Sequence, residues 1–116
     1  MLRNACYEEI VDIVNHPDVL LVDVREPSEL SATGQIPTSI NIPLKQVSTE
    51  LQLPPAAFES KYGRKKPATD DPIIFYCRIG VRSGNAAHEA DQLGYKRVKN
   101  YAGSWLEYAE KQGLPS

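Results

Sequence analysis

The residues best suited to chemistry lie together in one short segment, Cys77-Arg78-Ile79-Gly80-Val81-Arg82-Ser83. An apolar run precedes the segment and a stretch with helical periodicity follows it, so it is expected to link a strand to a helix N-terminus. Nearby cations, converging backbone N–H groups and a helix N-terminus all favour a thiolate, the nucleophilic form of cysteine. Arg78 and Arg82 supply the cations. We therefore expect Cys77 to be a nucleophile in a loop that binds a sulfur or phosphorus oxyanion.

A buried, unreactive core cysteine is the alternative interpretation of Cys77, because cysteine is commonly buried at strand ends. Such a cysteine has no need of two arginines and a glycine close by in the sequence, and here all three follow within the same short segment. The flanking residues therefore favour the reactive interpretation, while the residue types alone leave both open.

The elements that position this loop follow from the pattern of apolar residues along the chain. Short apolar runs alternate with segments of helical periodicity, as is typical of an α/β domain with a mostly parallel sheet. Strands are predicted over residues 19–22, 40–42, 73–76 and 97–100, and helices over residues 7–14, 27–31, 45–51, 54–62 and 104–112. The apolar stripe of the first helix consists of Tyr7, Ile10, Val11 and Val14.

One further helix is predicted directly after the Cys77 loop. Ser83 is expected to be its N-cap, and Gly94 lies where the helix should end. In an open α/β sheet, ligands bind at the carboxyl ends of the strands, and Cys77 directly follows such a strand. The loop is therefore well placed to be a binding site.

Composition narrows the functional classes. At 116 residues the chain is about one domain, and its 41% hydrophobic and 24% charged residues are typical of a globular protein. A net charge of −2 gives no electrostatic reason to expect nucleic acid or an anionic membrane as a partner. No apolar run approaches the roughly 20 residues that span a bilayer. The N-terminus has the features of neither a secretory signal nor a transit peptide, so we expect a cytoplasmic protein, or a mitochondrial one if a presequence is missing.

Neither a metal ion nor a cofactor is expected. Cys6 and Cys77 have no second cysteine or histidine at the spacing of a zinc site, and His16 and His88 stand alone. Two cysteines form a weak pattern for a disulfide, and we expect both thiols to stay reduced in a small domain of this kind.

The Cys77 loop resembles that of a known family. A strand, then C-x-x-G-x-R-S, then a helix is similar to the active-site loop of single-domain rhodaneses. Three further segments resemble that family in the same order: residues 21–26 (L-V-D-V-R-E), residues 34–43 (G-Q-I-P-T-S-I-N-I-P) and residues 101–105 (Y-A-G-S-W). The sequence departs from the family pattern at Gln35, Thr38 and Ala102, where the family commonly has His, Gly and Gly.

The resemblance implies a rhodanese-like α/β fold, with a roughly five-stranded, mostly parallel sheet, helices on both faces and a single domain over residues 5–114. It also implies a thiosulfate sulfurtransferase. In that reaction Cys77 takes the sulfane sulfur of thiosulfate as a persulfide and passes it to a thiol such as glutathione, or to cyanide. The expected partners are therefore small molecules, and we expect a monomer or a weak dimer.

The resemblance also assigns roles to individual residues. Cys77 is the catalytic residue, and the substrate-binding loop consists of Arg78, Ile79, Gly80, Val81, Arg82 and Ser83. Asp23 and Arg25, at the end of the first predicted strand, are expected to brace this loop through hydrogen bonds. Glu29 lies about one helical turn further on and is expected to hold Arg82 through a bidentate contact. The alternative for Glu29 is a solvated surface carboxylate.

Two other functions stay open. Phosphatases and arsenate reductases that share this fold also use a cysteine loop, but their C-x5-R pattern requires arginine at position 83, where this chain has Ser83. The arginine comes one residue earlier, at Arg82, and the tighter ring favours a sulfur atom over a tetrahedral phosphoryl group. A non-catalytic rhodanese-like interaction module is the second alternative. Such modules often lack the cysteine, whereas Cys77 is present.

Overall fold

Five strands and six α-helices alternate along residues 2–116, the part of the chain that the computed structural model describes. The strands are β1 (Arg3–Ala5), β2 (Leu20–Asp23), β3 (Ile40–Asn41), β4 (Pro72–Tyr76) and β5 (Arg97–Tyr101). The helices are α1 (Tyr7–Val11), α2 (Pro27–Thr33), α3 (Val47–Glu50), α4 (Pro55–Tyr62), α5 (Val81–Gln92) and α6 (Ser104–Gln112), with 3-10 turns at Asp12–Asn15 and Leu44–Gln46. Within residues 2–116, no helix is both long and apolar enough to cross a membrane.

The strands form one sheet in the order β1-β5-β4-β2-β3, and every strand pairing among the described residues is parallel. A parallel sheet needs apolar cover on both faces. α3, α4 and α5 contribute buried side chains to the core on one face, and α1 and α6 contribute to the core on the other. The predicted fold class is therefore confirmed.

β4 lies in the middle of the sheet, between β5 and β2. Its side chains alternate between the two faces, as strand geometry requires. Ile73 and Phe75 belong to the core that contains α5, whereas Ile74 and Tyr76 belong to the core that contains α6. Cys77 continues the alternation and belongs to the α5 core. The strand therefore carries the Cys77 side chain to the carboxyl edge of the sheet on the face where α5 begins.

The N-terminal region differs from the prediction in two ways. β1 is absent from the predicted elements because its three residues carry no apolar pattern, and only Ala5 is buried. The helix predicted over residues 7–14 ends at Val11 and continues as a 3-10 turn. This tighter turn rotates the side chains after Val11, so that Ile13 is buried and Val14 is exposed; Val11, at the end of α1, is exposed as well. The predicted apolar stripe is therefore wrong at Val11 and Val14.

The start of α5 also differs from the prediction. α5 begins at Val81, its N-cap is Gly80, and Ser83 is the third helical residue and fully buried. The prediction that Ser83 caps this helix is wrong, because its hydroxyl lies 3.3 Å from Cys77 Sγ and caps no backbone N–H. The earlier start aims the first turn of α5 at the sulfur.

Candidate active site

Cys77 is completely buried, and polar groups from the following loop surround its sulfur. The Gly80 N–H donates to Sγ over 3.1 Å, and the Ser83 N–H donates over 3.4 Å. The Ser83 hydroxyl lies 3.3 Å from the same atom. Three donors therefore converge on one sulfur atom at the N-terminus of α5, where the helix dipole adds about half a positive charge. This arrangement favours a thiolate over a thiol.

The pKa of Cys77 reflects two opposing effects. Burial raises the pKa, because it removes water from the charged form. Hydrogen bonds from the Ser83 hydroxyl and from the N–H groups of Ser83, Gly80 and Ile79 lower it, and together they outweigh burial. The net pKa is therefore below the ordinary value for a cysteine thiol, although the side chain is buried.

The curl of the loop depends on Gly80. Its φ of +94° lies in the region that side chains rarely adopt. A Cβ on Gly80 would lie 2.4 Å from the carbonyl oxygen of Ala102, on the connection between β5 and α6. Both the backbone conformation and the close approach therefore require glycine, and both are needed for the Gly80 N–H to reach Cys77.

The Arg82 guanidinium is held by a bidentate ion pair with Glu29, the third residue of α2. The two N–H···O distances are 2.8 and 2.9 Å, and one Glu29 oxygen also accepts the Glu26 N–H over 2.8 Å. The expected contact between Glu29 and Arg82 is thus present. The Arg82 hydrogen bonds hold the pKa of Glu29 at about 2, and Glu29 in turn raises the pKa of Arg82.

Asp23 and Arg25 form a buried ion pair behind the loop. The Arg25 guanidinium donates to both Asp23 carboxylate oxygens over 2.7 to 3.1 Å, and also to Thr33 Oγ1 and the Gly34 carbonyl. It lies 4.9 Å from the centre of the Trp105 ring. These contacts tie the end of β2 to the end of α2, and α2 carries Glu29. Neither side chain makes a hydrogen bond to residues 77–83, so the expectation that this pair braces the loop through hydrogen bonds is wrong: its contacts go to α2 instead.

The solvent-facing side of the loop is formed by Arg78, Ile79 and Val81. Ile79 is 57% exposed and Val81 is 63% exposed, which is unusual for aliphatic side chains. Arg78 is exposed as well, and within residues 2–116 its side chain makes no hydrogen bond or ion pair. Three loop residues therefore direct backbone N–H groups at the sulfur: Ile79, Gly80 and Ser83. The side chains of Arg78, Ile79 and Val81 face solvent, and that of Arg82 is paired with Glu29.

Two residues near the sulfur are absent from the sequence-based site. Ser104 Oγ accepts the Cys77 N–H over 3.1 Å, and Asn100 Nδ2 donates to the Gly80 carbonyl over 3.1 Å. Ser104 lies within the 101–105 segment that resembles the family, but the only signal for Asn100 is its position near the end of β5, which adjoins β4 in the sheet. Cys6 is exposed and lines a groove of about 820 Å³ to which no residue of the 77–83 loop contributes.

No three His, Cys, Asp or Glu side chains in residues 2–116 lie close enough together to hold a metal ion. A cysteine whose pKa is lowered at a helix N-terminus, at the carboxyl edge of a parallel sheet, has the environment in which cysteine nucleophiles are activated. The family model described as the rhodanese-like domain matches residues 7–111, and the chain belongs to this family.

The relatives agree with the family assignment over nearly the whole chain. A rhodanese domain-containing protein of Drosophila melanogaster is 52% identical over 110 residues, which cover 95% of this chain and 99% of the relative. A thiosulfate:glutathione sulfurtransferase of Saccharomyces cerevisiae is 38% identical over 114 residues, which cover 97% and 81%. Among solved structures, a human single-domain sulfurtransferase superposes with a TM-score of 0.86 and 35% identity, covering 96% of this chain and 98% of that chain.

Replacing Gly80 with alanine tests the packing of the loop. Gly80→Ala introduces both an unfavourable φ and a clash with the Ala102 carbonyl, so it should lower the free energy of unfolding by roughly 3 kcal/mol or more. Gly94→Ala is the matched control, because Gly94 has φ +99° but no atom within 4 Å of its Cβ position. That variant should lose only the backbone cost of roughly 1–2 kcal/mol. Urea unfolding measures both, and equal losses would contradict the close contact at Ala102.

The Glu29–Arg82 ion pair predicts a specific pH dependence. Because the folded-state pKa of Glu29 is lowered from 4.5 to about 2, the pair stabilises the fold fully above about pH 4.5 and is lost as the pH falls toward 2. The difference in melting temperature between the unmodified protein and Glu29→Gln should therefore shrink over that interval. Glu59→Gln, at an exposed position on α4, is the control. A difference that stays constant down to pH 2 would show that the charge of Glu29 is not what matters.

Proposed function

We propose that this chain is a thiosulfate sulfurtransferase that carries sulfur as a persulfide on Cys77 and delivers it to a small thiol such as glutathione, or to cyanide. The observation that carries the proposal is the convergence of the Gly80 and Ser83 donors on the buried Cys77 sulfur. Sulfurtransferase activity is also supported by the relatives, one of which is named a thiosulfate:glutathione sulfurtransferase.

The first step is attack by the Cys77 thiolate on the outer sulfur of thiosulfate. A bond forms between Cys77 Sγ and that sulfur, the sulfur–sulfur bond of thiosulfate breaks, and sulfite leaves with the electron pair. The product is a Cys77 persulfide anion. Gly80 and Ser83 favour this step because they stabilise the thiolate that begins it, and the N-terminus of α5 stabilises the anion that results.

The second step returns the enzyme to its starting state. The thiolate of the acceptor attacks the outer sulfur of the persulfide, the bond between the two sulfurs breaks, and Cys77 leaves as a thiolate. The donors that lower the pKa of Cys77 also make it a better leaving group. One set of hydrogen bonds therefore serves both half-reactions, and no metal or redox cofactor is needed to balance them.

The outer part of the loop is proposed to guide the anionic donor. Arg78 is an exposed cation beside the nucleophile, whereas the charge of Arg82 is largely balanced by Glu29. Ile79 and Val81 give the approach an apolar rim that limits water near the sulfur. In this proposal Arg78 attracts thiosulfate, and Arg82 with Glu29 keeps the first turn of α5 in place.

The loop length supports sulfur chemistry over phosphate ester hydrolysis. The span from Cys77 to Arg82 is one residue shorter than the C-x5-R loop, and its first helical turn already packs Ser83 against Sγ. A sulfur atom adds little volume to that ring, whereas a phosphoryl group needs room for three more oxygens. A catalytic role, as opposed to an interaction module, is supported by the lowered pKa of Cys77.

Three further expectations are part of the proposal. We propose one domain over residues 5–114, a monomer or weak dimer in solution, and a cytoplasmic location, with mitochondria as the alternative. Analytical ultracentrifugation tests the oligomeric state, and microscopy of the full-length tagged protein tests the compartment.

The central experiment is the intact mass of the protein after exposure to thiosulfate. The protein should gain the mass of one sulfur, about 32 Da, and a reducing thiol should remove it. Digestion should place the added sulfur on the peptide that contains Cys77. Cys77→Ser should abolish both the adduct and sulfur transfer, because a hydroxyl cannot form the persulfide. Cys6→Ser is the matched control and should keep both. Robust aryl phosphatase activity without a sulfur adduct on Cys77 would refute the proposed function.

A further inference from the structure

Residues 100–106, which run from the end of β5 into the first turn of α6, contact the Cys77 loop at several points. Trp105 and Leu106, in the first turn of α6, donate their N–H groups to the carbonyls of Cys77 and Arg78 over 2.9 and 3.1 Å. The Ala102 carbonyl lies against Gly80. These backbone contacts fix the path of the loop. Two side chains of the same segment, Ser104 and Asn100, contact it at Cys77 and at Gly80.

Ser104 holds the end of the loop that carries the nucleophile. Its hydroxyl donates to the Tyr101 carbonyl over 2.7 Å, which turns an oxygen lone pair toward the Cys77 N–H at 3.1 Å. Ser104 is fully buried and has a φ of +52°, a conformation that costs a non-glycine residue energy. The strained backbone places the hydroxyl directly beneath Cys77.

Asn100 contacts the loop at Gly80, the N-cap of α5, where the loop ends and the helix begins. Its Nδ2 donates to the Gly80 carbonyl, which also accepts the Gly84 N–H in the first turn of α5. Its Oδ1 is buried and has no hydrogen-bond partner within residues 2–116. A buried, unpaired amide oxygen costs free energy, so an asparagine in this position needs a compensating contact. The contact with Gly80 gives a reason for asparagine at this position.

We propose that Asn100 and Ser104 are positioning residues that hold the Cys77 and Gly80 ends of the loop, so that the N–H groups of the loop stay aimed at the sulfur. Neither side chain is required to touch substrate. Ser104 Oγ lies 3.9 Å from Sγ, the long limit of a hydrogen bond to sulfur, and its proton points to the much closer Tyr101 carbonyl at 2.7 Å. Asn100 contacts only the Gly80 carbonyl on the loop.

The proposal deepens the proposed function, on which its consequence for sulfur transfer rests. If the Gly80 end moves, the Gly80 N–H loses its 3.1 Å contact with Sγ. If the Cys77 end moves, the sulfur shifts away from Ser83. Either change removes hydrogen bonds from the thiolate while leaving the nearby charges of Arg78, Arg82 and Glu29 in place. The effect on Cys77 should therefore be specific and separable from changes in net charge.

The test uses two variants chosen to keep the fold intact. Asn100→Leu is similar in shape, lacks the donor to Gly80 and also removes the unpaired Oδ1, so the stability of the fold should not fall. Ser104→Gly loses the hydroxyl but adopts positive φ without strain. Tyr101→Phe is the matched control, because it removes a neighbouring side-chain hydrogen bond to Glu107 that is not directed at the loop.

All variants are made on a Cys6→Ser background, and the rate of Cys77 alkylation by iodoacetamide is measured against pH together with the unfolding midpoint. Asn100→Leu and Ser104→Gly should raise the midpoint of the alkylation profile by about 0.5–1 pH unit, because the thiolate loses hydrogen bonds. Their sulfur-transfer rates at neutral pH should fall roughly 3- to 10-fold. Tyr101→Phe should leave the alkylation midpoint unchanged.

The outcomes separate this inference from the proposed function. Unchanged alkylation midpoints in both folded variants would overturn the positioning role, even if the unmodified protein transfers sulfur normally. Raised midpoints in a protein that never accepts sulfur from thiosulfate would support the positioning role and overturn the proposed function. If one variant unfolds, the other still decides, because the two contacts act on opposite ends of the same loop.

Discussion

The hydrogen bonds that Gly80 and Ser83 direct at Cys77 Sγ are the constraint on which the rest of the structure depends. Cys77 has no exposed surface, and a buried thiolate without compensating donors is strongly disfavoured. Backbone N–H groups can donate to Cys77 Sγ only if the chain turns back toward the sulfur within a few residues of the end of β4. Several neighbouring elements keep the chain in this turn.

Four parts of the chain contribute to this support. β4 brings Cys77 to the carboxyl edge of the sheet, and α5 supplies donors and a dipole from its first turn. α2 carries Glu29 to Arg82, and the buried Asp23–Arg25 pair fixes the position of α2. The connection after β5 closes the loop from the other side. Because these parts are distant in sequence, the site forms only when the sheet is assembled.

The features that could be predicted from the sequence are those that produce a local pattern of residues. The strand before Cys77, the fold class and the Glu29–Arg82 contact all follow from apolar runs and complementary charges near known strand ends. Thr38 illustrates a departure that sequence alone could only note. It stands where the family commonly has glycine, and its φ is +72°, so the left-handed turn is kept at a cost in backbone strain.

The parts that escaped prediction depend on tertiary contacts. β1 is too short to show a pattern and exists because β5 pairs with it. Ser83 is typical of an N-cap, but the start of α5 is set by Gly80: a glycine permits a positive φ without requiring it, so the sequence left both helix starts possible. Asn100 is an ordinary polar residue until β5 is known to lie beside β4, and the family-like segment that contains Ser104 does not indicate what the serine contacts. Their roles depend on strand order, which a single sequence does not encode locally.

The most direct test of this account is the pKa of Cys77 itself, measured from the ultraviolet absorbance of the thiolate in a Cys6→Ser protein with Cys77→Ser as the blank. If converging donors outweigh burial, the measured pKa should lie clearly below the free-cysteine value of about 8.5. A pKa at or above that value would mean that burial dominates. The hydrogen-bonded loop would then not be what makes Cys77 reactive.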